Sequence, residues 1–228
     1  MYKYETHLHT FPVSRCSKAS VRESLEFYKS VGFDGVFITN HFLGGNINID
    51  AGKPYAEKIE FYFSDYEEGL KIGKELGIKV FCGVELSDHR SDFLVYGLDK
   101  TWYLDHPEIM EMQLPDRLRF MMDSGALVIQ AHPFRENTPL ALFHRCVHGV
   151  EVINANYMVA CELARHYCEH YDLLPFAGSD NHTAARKKLL AGISCREPIT
   201  SVEDMIQKAK ARQIEIFSAE IKEETLCI

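Results

Sequence analysis

Five times along this chain a short run suited to a β-strand ends on a metal-ligating side chain, and that repetition limits the folds open to it. The first run is Tyr4-Glu5-Thr6-His7-Leu8-His9-Thr10, which closes on a His-x-His pair. Residues two apart in an extended segment point to the same side, so His7 and His9 can offer two imidazoles to one ion. Such a pair arises by chance in a chain with 11 histidines, and taken alone it reads as a buried, hydrogen-bonded pair. Asn40-His41, Gly83-Val84-Glu85, Ala131-His132-Pro133 and Gly178-Ser179-Asp180-Asn181-His182 hold the same place after later apolar runs. The shared position is the signal.

Helical stretches separate these runs. Ser20 can cap a helix over about 21–31 that Gly32 ends, and a longer stretch, roughly 56–76, closes at Gly77. Gly35-Val36-Phe37-Ile38-Thr39 and the run from Ile78 to Val84 read as buried parallel strands, the second delivering Glu85. Only six residues separate Glu85 from Asp92, too few for a parallel crossover. Phe93 to Gly97 is therefore expected to run back antiparallel, with Asp92 near the rim where Glu85 ends. Strands over 126–130, 149–153, 173–177 and 214–217, and helices near 116–123, 158–171 and after the cap Ser201, complete the reading. Strand and helix alternate with no linker and no internal repeat, which predicts one α/β domain over residues 1–228. About seven strand-helix steps predict a barrel with its active face at the C-terminal strand ends, where the candidate ligands gather.

Composition closes off other classes. The 228 residues, 46% hydrophobic, suffice for a full core, and a formal net charge of -8 argues against extended nucleic acid as a partner. No apolar run approaches the ~20 residues of a membrane span, and the opening Met1-Tyr2-Lys3-Tyr4-Glu5 lacks the build of a signal peptide. Seven cysteines, an odd number with no Cys-x-x-Cys, fit reduced thiols. The expectation is a cytoplasmic protein with no membrane partner.

Imidazoles and carboxylates with no cysteine among them suit zinc, manganese or iron in mixed nitrogen and oxygen sites. A carboxylate can bridge two ions, and such pairs hydrolyse phosphate esters by activating water, clamping phosphate oxygens and neutralising the leaving oxygen.

On these residues the sequence resembles the polymerase and histidinol phosphatase (PHP) family. His7-Leu8-His9, the post-strand His41, Glu85, Ala131-His132-Pro133 and Ser179-Asp180-Asn181-His182 match its motifs in order, over about residues 4–182. The resemblance implies a distorted seven-stranded β/α (TIM-like) barrel and a stand-alone phosphoesterase with two or three divalent ions, Mn, Fe or Zn. It implies a first ion on His7, His9, Glu85 and Asp180, a second sharing Glu85 with His132, and a third on His41 and His182. Three positions depart from the family pattern. Asn40 stands where Asp is usual, and Asp92 where many relatives have a His ligand of the second ion. Ser14, Arg15 and Cys16 stand where relatives place an Asp or His for the third. Attack of a metal-bound hydroxide on a small phosphate ester, such as histidinol phosphate or a nucleotide, is the implied activity. The alternative is a catalytically degenerate PHP domain that keeps a structural or regulatory metal site.

Two arginines are candidates to hold the phosphate: Arg135, three residues after His132, and Arg15 in the first loop. Each can equally be a surface residue in an ion pair. Cys16 can be a weak ligand or a packed thiol. Glu151 and Asn154 end a strand on the same rim and can either support the ligands or cap the strand. His166 and His170, four apart on a helix, read as a solvated face, and His89, His106, His144 and His148 as loop or helix-end residues.

Overall fold

The computed structural model describes residues 1–88, 91–136, 140–158 and 161–221, apart from the side chain of Arg186. Among these residues lie ten strands and six α-helices. In chain order they are β1 (Tyr2–Leu8), α1 (Val21–Ser30), β2 (Gly35–Ile38), α2 (Tyr55–Leu76), β3 (Lys79–Cys82), β4 (Val84–Asp88), β5 (Ser91–Tyr96), α3 (Lys100–Asp105) and α4 (Leu114–Asp123). There follow β6 (Leu127–Ala131), β7 (Gly149–Asn154), α5 (Cys161–His170), β8 (Leu174–Gly178), β9 (Leu189–Cys195), α6 (Val202–Lys210) and β10 (Glu215–Glu220).

Local chemistry sets the helix ends. Ser20 accepts from the Glu23 backbone N–H while the Glu23 carboxylate accepts from that of Ser20, a reciprocal cap that starts α1. Gly77, at φ 68°, takes the left-handed turn that ends α2. Ser201 accepts from the Asp204 N–H at the start of α6.

Strand pairing corrects the expectation of a seven-stranded barrel. Among the described residues it gives two five-stranded sheets, ordered β10-β9-β1-β2-β3 and β4-β5-β6-β7-β8. Two features of the chain account for the difference. The run from Ile78 to Val84, read as one strand, divides at Gly83, with β3 ending in the first sheet and β4 opening the second. A Cβ at Gly83 would stand 2.8 Å from both Thr39 Cγ2 and the Tyr96 ring, so the crossing requires glycine. The second feature is β9, which sequence reasoning passed over and which pairs antiparallel with both β1 and β10. The expected reversal after Glu85 is present: β4 and β5 pair antiparallel with Glu85 opposite Leu94 and Ser87 opposite Asp92. At one rim the two sheets meet through isolated bridges, His41 with Glu85 and Leu8 with Asn181.

Both faces of β2, β5 and β6 are buried almost throughout, which explains their nearly continuous apolar sequence, whereas β10 at the sheet edge is largely exposed. Leu94 and Tyr96 of β5 share a cluster with Phe37, Phe81, Leu127, Ile129, Phe176 and Ile193, drawn from both sheets. Phe93 and Val95, with the opposite parity, pack in the cluster that holds Ile59 and Phe63 of α2 and Leu118 of α4. Among the described residues no helix is long and apolar enough to cross a membrane.

Candidate metal centre

The rim where the two sheets meet carries the histidines and acids. His7 lies in β1 and His9 just past it, His41 follows β2, Glu85 is in β4, Asp92 opens β5, His132 follows β6, and Asp180 and His182 follow β8. Glu5, His7 and His9 share one side of the extended segment, the period of two that makes the His-x-His pair converge. His132 and Asp180 have φ of 25° and 50°, conformations that cost a residue with a side chain and that turn these ligands onto the rim. The His7, His9, Glu85, His132 and Asp180 side chains are 0–6% exposed, against 16% for His41 and 23% for His182, so the cluster opens on the side of those two rings.

Three groups have ligand atoms within 4.8 Å of one another: His7, His9 and Asp180; His7, Glu85 and His132; and His9, His41 and His182. The imidazole Nε2 atoms of His7 and His9 lie 3.1 Å apart. Glu85 Oε1 is 3.2 Å from His7 Nε2 and 3.4 Å from His132 Nε2. Asp180 Oδ1 is 3.6 Å from His7 Nε2 and 3.4 Å from His9 Nε2. Ligands around a tetrahedral ion at ~2.1 Å stand about 3.4 Å from one another, so these separations suit a shared cation.

Hydrogen bonding on the far side of each ring fixes what faces inward. Glu151 Oε1 lies 3.0 Å from His7 Nδ1, and a carboxylate accepts only, so His7 Nδ1 carries the proton. For His9 the partner is Ser14 Oγ, 3.1 Å from Nδ1. Ser14 spends its one proton on Asn40 Oδ1 at 2.8 Å and accepts from the His41 N–H at 3.1 Å. The Asn40 amide cannot turn over, because Oδ1 accepts from the Thr10 N–H at 2.7 Å while Nδ2 donates to Asp65 Oδ2 at 3.0 Å. His9 Nδ1 must then donate to Ser14. Both Nε2 atoms are left as electron-pair donors facing two carboxylates, an arrangement that only a proton or a cation can hold together.

A further sign of a missing partner lies beside them. Glu85 Oε2 and His41 Nδ1 are buried without hydrogen-bond partners, although they stand 2.6 Å apart. The donor set and these orphaned atoms fit divalent ions, with His7, His9, Glu85, His132, Asp180, His41 and His182 as the holding residues.

The charges are strongly coupled. Burial opposes ionisation of Glu85 and Asp180, yet the surrounding imidazoles, His41, His7 and His9 for Glu85 and His7 and His9 for Asp180, hold both well below the usual carboxylate range. Burial also opposes a charged His7, but Asp180, Glu151 and Glu85 outweigh it and raise the ring well above its ordinary value. His9 goes the other way, down to about 3, through burial and the neighbouring His41 and His182. His41, resisting burial beside the Glu85 charge, rises to about 10.

Asp92 stands at the edge of the cluster. Its Oδ2 is 3.9 Å from His132 Nε2 and 2.8 Å from Arg135 Nη1, so its nearer partner is the arginine. Arg135 thus reaches the ligand rim, half-buried, at its Asp92 edge. Arg15 is exposed and donates to the Ile47 carbonyl oxygen at 3.1 Å. His166 and His170 are exposed on α5, His106 pairs with Glu108, His148 accepts from the Val128 N–H, and His144 stacks on Tyr171. His89 lies outside the described residues.

Sequence reasoning missed two buried acids. Glu5 accepts from the backbone N–H groups of His7 and Ser179 at 2.8 and 2.9 Å and from the Tyr28 hydroxyl at 2.6 Å, tying β1 to the loop after β8. Its alternation with His7 and His9 was the available clue. Asp65, on α2, accepts from Thr10 Oγ1 at 2.7 Å and from Asn40. It supplies the carboxylate that Asn40 lacks.

No family model and no curated protein sequence matches the chain. Solved structures do. A two-domain protein from Bacteroides vulgatus containing a predicted PHP-like metal-dependent phosphoesterase superposes with a TM-score of 0.70 at 15% identity, over 95% of this chain and 64% of that one. The chain has the fold of PHP-like metal-dependent phosphoesterases. A Bifidobacterium adolescentis protein described as a metal-dependent phosphoesterase matches with a TM-score of 0.56 at 14% identity, over 93% of this chain and 96% of its own. An amidohydrolase from Chromobacterium violaceum matches equally well, with a TM-score of 0.56 at 13% identity, over 93% and 97% of the two chains. The PHP-like fold accounts for the rim on which the ligands sit, and the residues of this chain must account for the chemistry.

Proposed function

We infer that the chain is a metal-dependent phosphoesterase acting on a small phosphate ester. The observation that carries this reading is the convergence of four electron-pair donors: His7 Nε2 and His9 Nε2 lie 3.1 Å apart, and each stands 3.2–3.6 Å from carboxylate oxygens of both Glu85 and Asp180.

Each supporting residue has a stated task. Glu151 and Ser14 keep the protons on His7 Nδ1 and His9 Nδ1, so both Nε2 atoms stay available as donors. Glu85 and Asp180 stay ionised among the imidazoles. Arg135, ion-paired with Asp92 at the rim, would take the oxygens of a phosphate monoester with its planar fork. The Tyr157 ring, 5.2 Å from that of His132, can cover the side of the bound group. Two or three divalent ions, manganese, iron or zinc, would supply water activation and neutralisation of charge on the leaving oxygen.

The test combines elemental analysis with hydrolysis of p-nitrophenyl phosphate, bis-p-nitrophenyl phosphate and p-nitroacetanilide, with and without added manganese. Two or more ions per chain, preference for the monoester, and loss of both ions and turnover in His132→Ala and Asp180→Ala are expected. Retained metal with no hydrolysis of either ester would leave a degenerate domain with a structural or regulatory site. Hydrolysis of the amide alone would move the chain to a different reaction.

A further inference from the structure

The apolar run that Gly83 divides leaves one strand edge open. Lys79 and Gly83 donate their N–H groups to the Asp34 and Ile38 carbonyls, each at 2.9 Å, and Glu85 donates to that of Asn40 at 3.0 Å. The odd-numbered residues therefore turn their backbone groups toward β2 and its continuation, and the even-numbered ones turn theirs the other way. In β4 those outward groups meet β5, where Val84 stands opposite Val95 and Leu86 opposite Phe93. β3 has no such neighbour. It is the end strand of its sheet and pairs with β2 alone, so the N–H and C=O groups of Val80 and Cys82 carry no backbone hydrogen bond among the described residues.

β5 would cover these groups if it ran on. It ends at Tyr96, and Gly97, at φ 99°, turns the chain against α6, so closely that a Cβ there would lie 2.7 Å from Ile206 Cδ1. The space beside the open edge is a cavity of about 850 Å³, bounded by α2, β3, the turn after β5 and the start of α6. Tyr66 and Leu70 of α2, Val80 of β3 and Leu98 after β5 give it apolar walls. Lys74, Lys79 and Lys100 are matched there by Glu67, Asp99 and Glu203, a lining without net charge that does not suit a phosphate ester or another anion. Two N–H and two C=O groups, alternating along a strand of ~13 Å at ~3.3 Å per residue, complement the neutral dipoles of a second backbone. An unpaired edge of this kind is a template for another chain.

We propose that the open edge of β3 takes an extended peptide segment of a partner protein, which adds as a strand on Val80 and Cys82 in the place that β5 leaves and sets alternate apolar side chains into the cavity. Main-chain hydrogen bonds supply the affinity, and the walls formed by Tyr66, Leu70 and Leu98 select the side chains. The edge lies on the other side of the Gly83 break from Glu85, and its role does not depend on the metal-dependent reading.

The full chain is panned against a phage-displayed library of random seven-residue peptides, and the recovered peptides are synthesised with and without methylation of alternate backbone nitrogens. Recovered sequences should carry apolar residues at alternate positions. Methylating the set of nitrogens that faces β3 should weaken binding about 10-fold per lost hydrogen bond, and methylating the other set should not. In the free chain, amide hydrogen exchange followed by NMR should be fast at Val80 and Cys82 and slow at Phe81, and the peptide should slow the first two. Leu70→Glu, at a position already 44% exposed, should abolish peptide binding and leave metal content and ester hydrolysis as they are. Failure to recover any peptide, or protection of Val80 and Cys82 in the free chain equal to that of Phe81, would overturn the proposal. So would binding that ignores backbone methylation, which would make the cavity a pocket for a small molecule instead.

Discussion

Asn40 and Asp65 share a hydrogen bond of 3.0 Å, from the amide of one to the carboxylate of the other, and this pair carries the orientation of His9 through Ser14. The amide is required because its partner is already an acid.

Asn40→Asp places two buried carboxyls against each other, and one must keep a proton. Burial already pushes Asp65 upward, against the hydrogen bonds from Thr10, Val13 and Asn40. The folded pair then titrates above the unfolded value of about 4, so the variant's stability is full below that pH and is lost as pH rises through the folded value. Thermal midpoints of variant and parent should lie close together near pH 4–5 and diverge toward pH 8, by the equivalent of about 3–5 kcal/mol. A deficit that does not depend on pH would refute the pairing.

Glu151→Gln should weaken metal binding roughly 10- to 100-fold while the protein stays folded, because Gln can donate from the position where Glu only accepts and so loosens control of the His7 ring. Glu151 also accepts from the His132 N–H at 3.1 Å and from Asn154 Nδ2 at 2.8 Å, so two ligands move together. Competition against a chromophoric chelator measures the change, and an unaltered affinity counts against the role.

Arg135→Ala should lower kcat/KM for a phosphate monoester about 10- to 100-fold, the cost of one hydrogen bond to a charged group, chiefly through KM. Metal content should be unchanged, since the ion pair of Arg135 is with Asp92, at the edge of the cluster, 3.9 Å from His132 Nε2. Steady-state kinetics with p-nitrophenyl phosphate decides it, and an equal fall in metal content would place Arg135 in the support of the ions instead.

Gly83→Ala should destabilise by about 1–3 kcal/mol, since the added methyl meets buried side chains on two sides. Urea denaturation reads this directly, and a neutral result would mean that the Thr39 and Tyr96 contacts yield more easily than close packing allows.

Most of the candidate site was legible in the sequence because its members recur at strand ends, and a strand end is a local property. His7, His9, His41, Glu85, His132, Asp180 and His182 all belong to that class, and the structure brings them to one rim. Asp65 escaped because it lies on a helix 25 residues beyond Asn40, and only tertiary packing makes the two meet. The position of Cys16 was open for the same reason: nothing near it in sequence says that the loop around it is tied to His182. The strand β9 was hidden by Gly192, a residue that weakens a strand reading. A Cβ there would stand 2.2 Å from the Tyr4 carbonyl oxygen, so the glycine is the condition for pairing with β1. Counting strand-helix steps could not reveal that Gly83 divides one apolar run between two sheets.

That division shapes how the molecule holds together. His7, His9 and His41 belong to the segments of one sheet, Glu85 and His132 to those of the other, and Asp180 to the loop after its last strand. Ions bound among them would act as cross-links across a seam that backbone hydrogen bonds close only in places. Loading the site would then make the halves melt as one body, and stripping it would uncouple them, so that occupancy of the centre sets the cooperativity of unfolding as well as the chemistry.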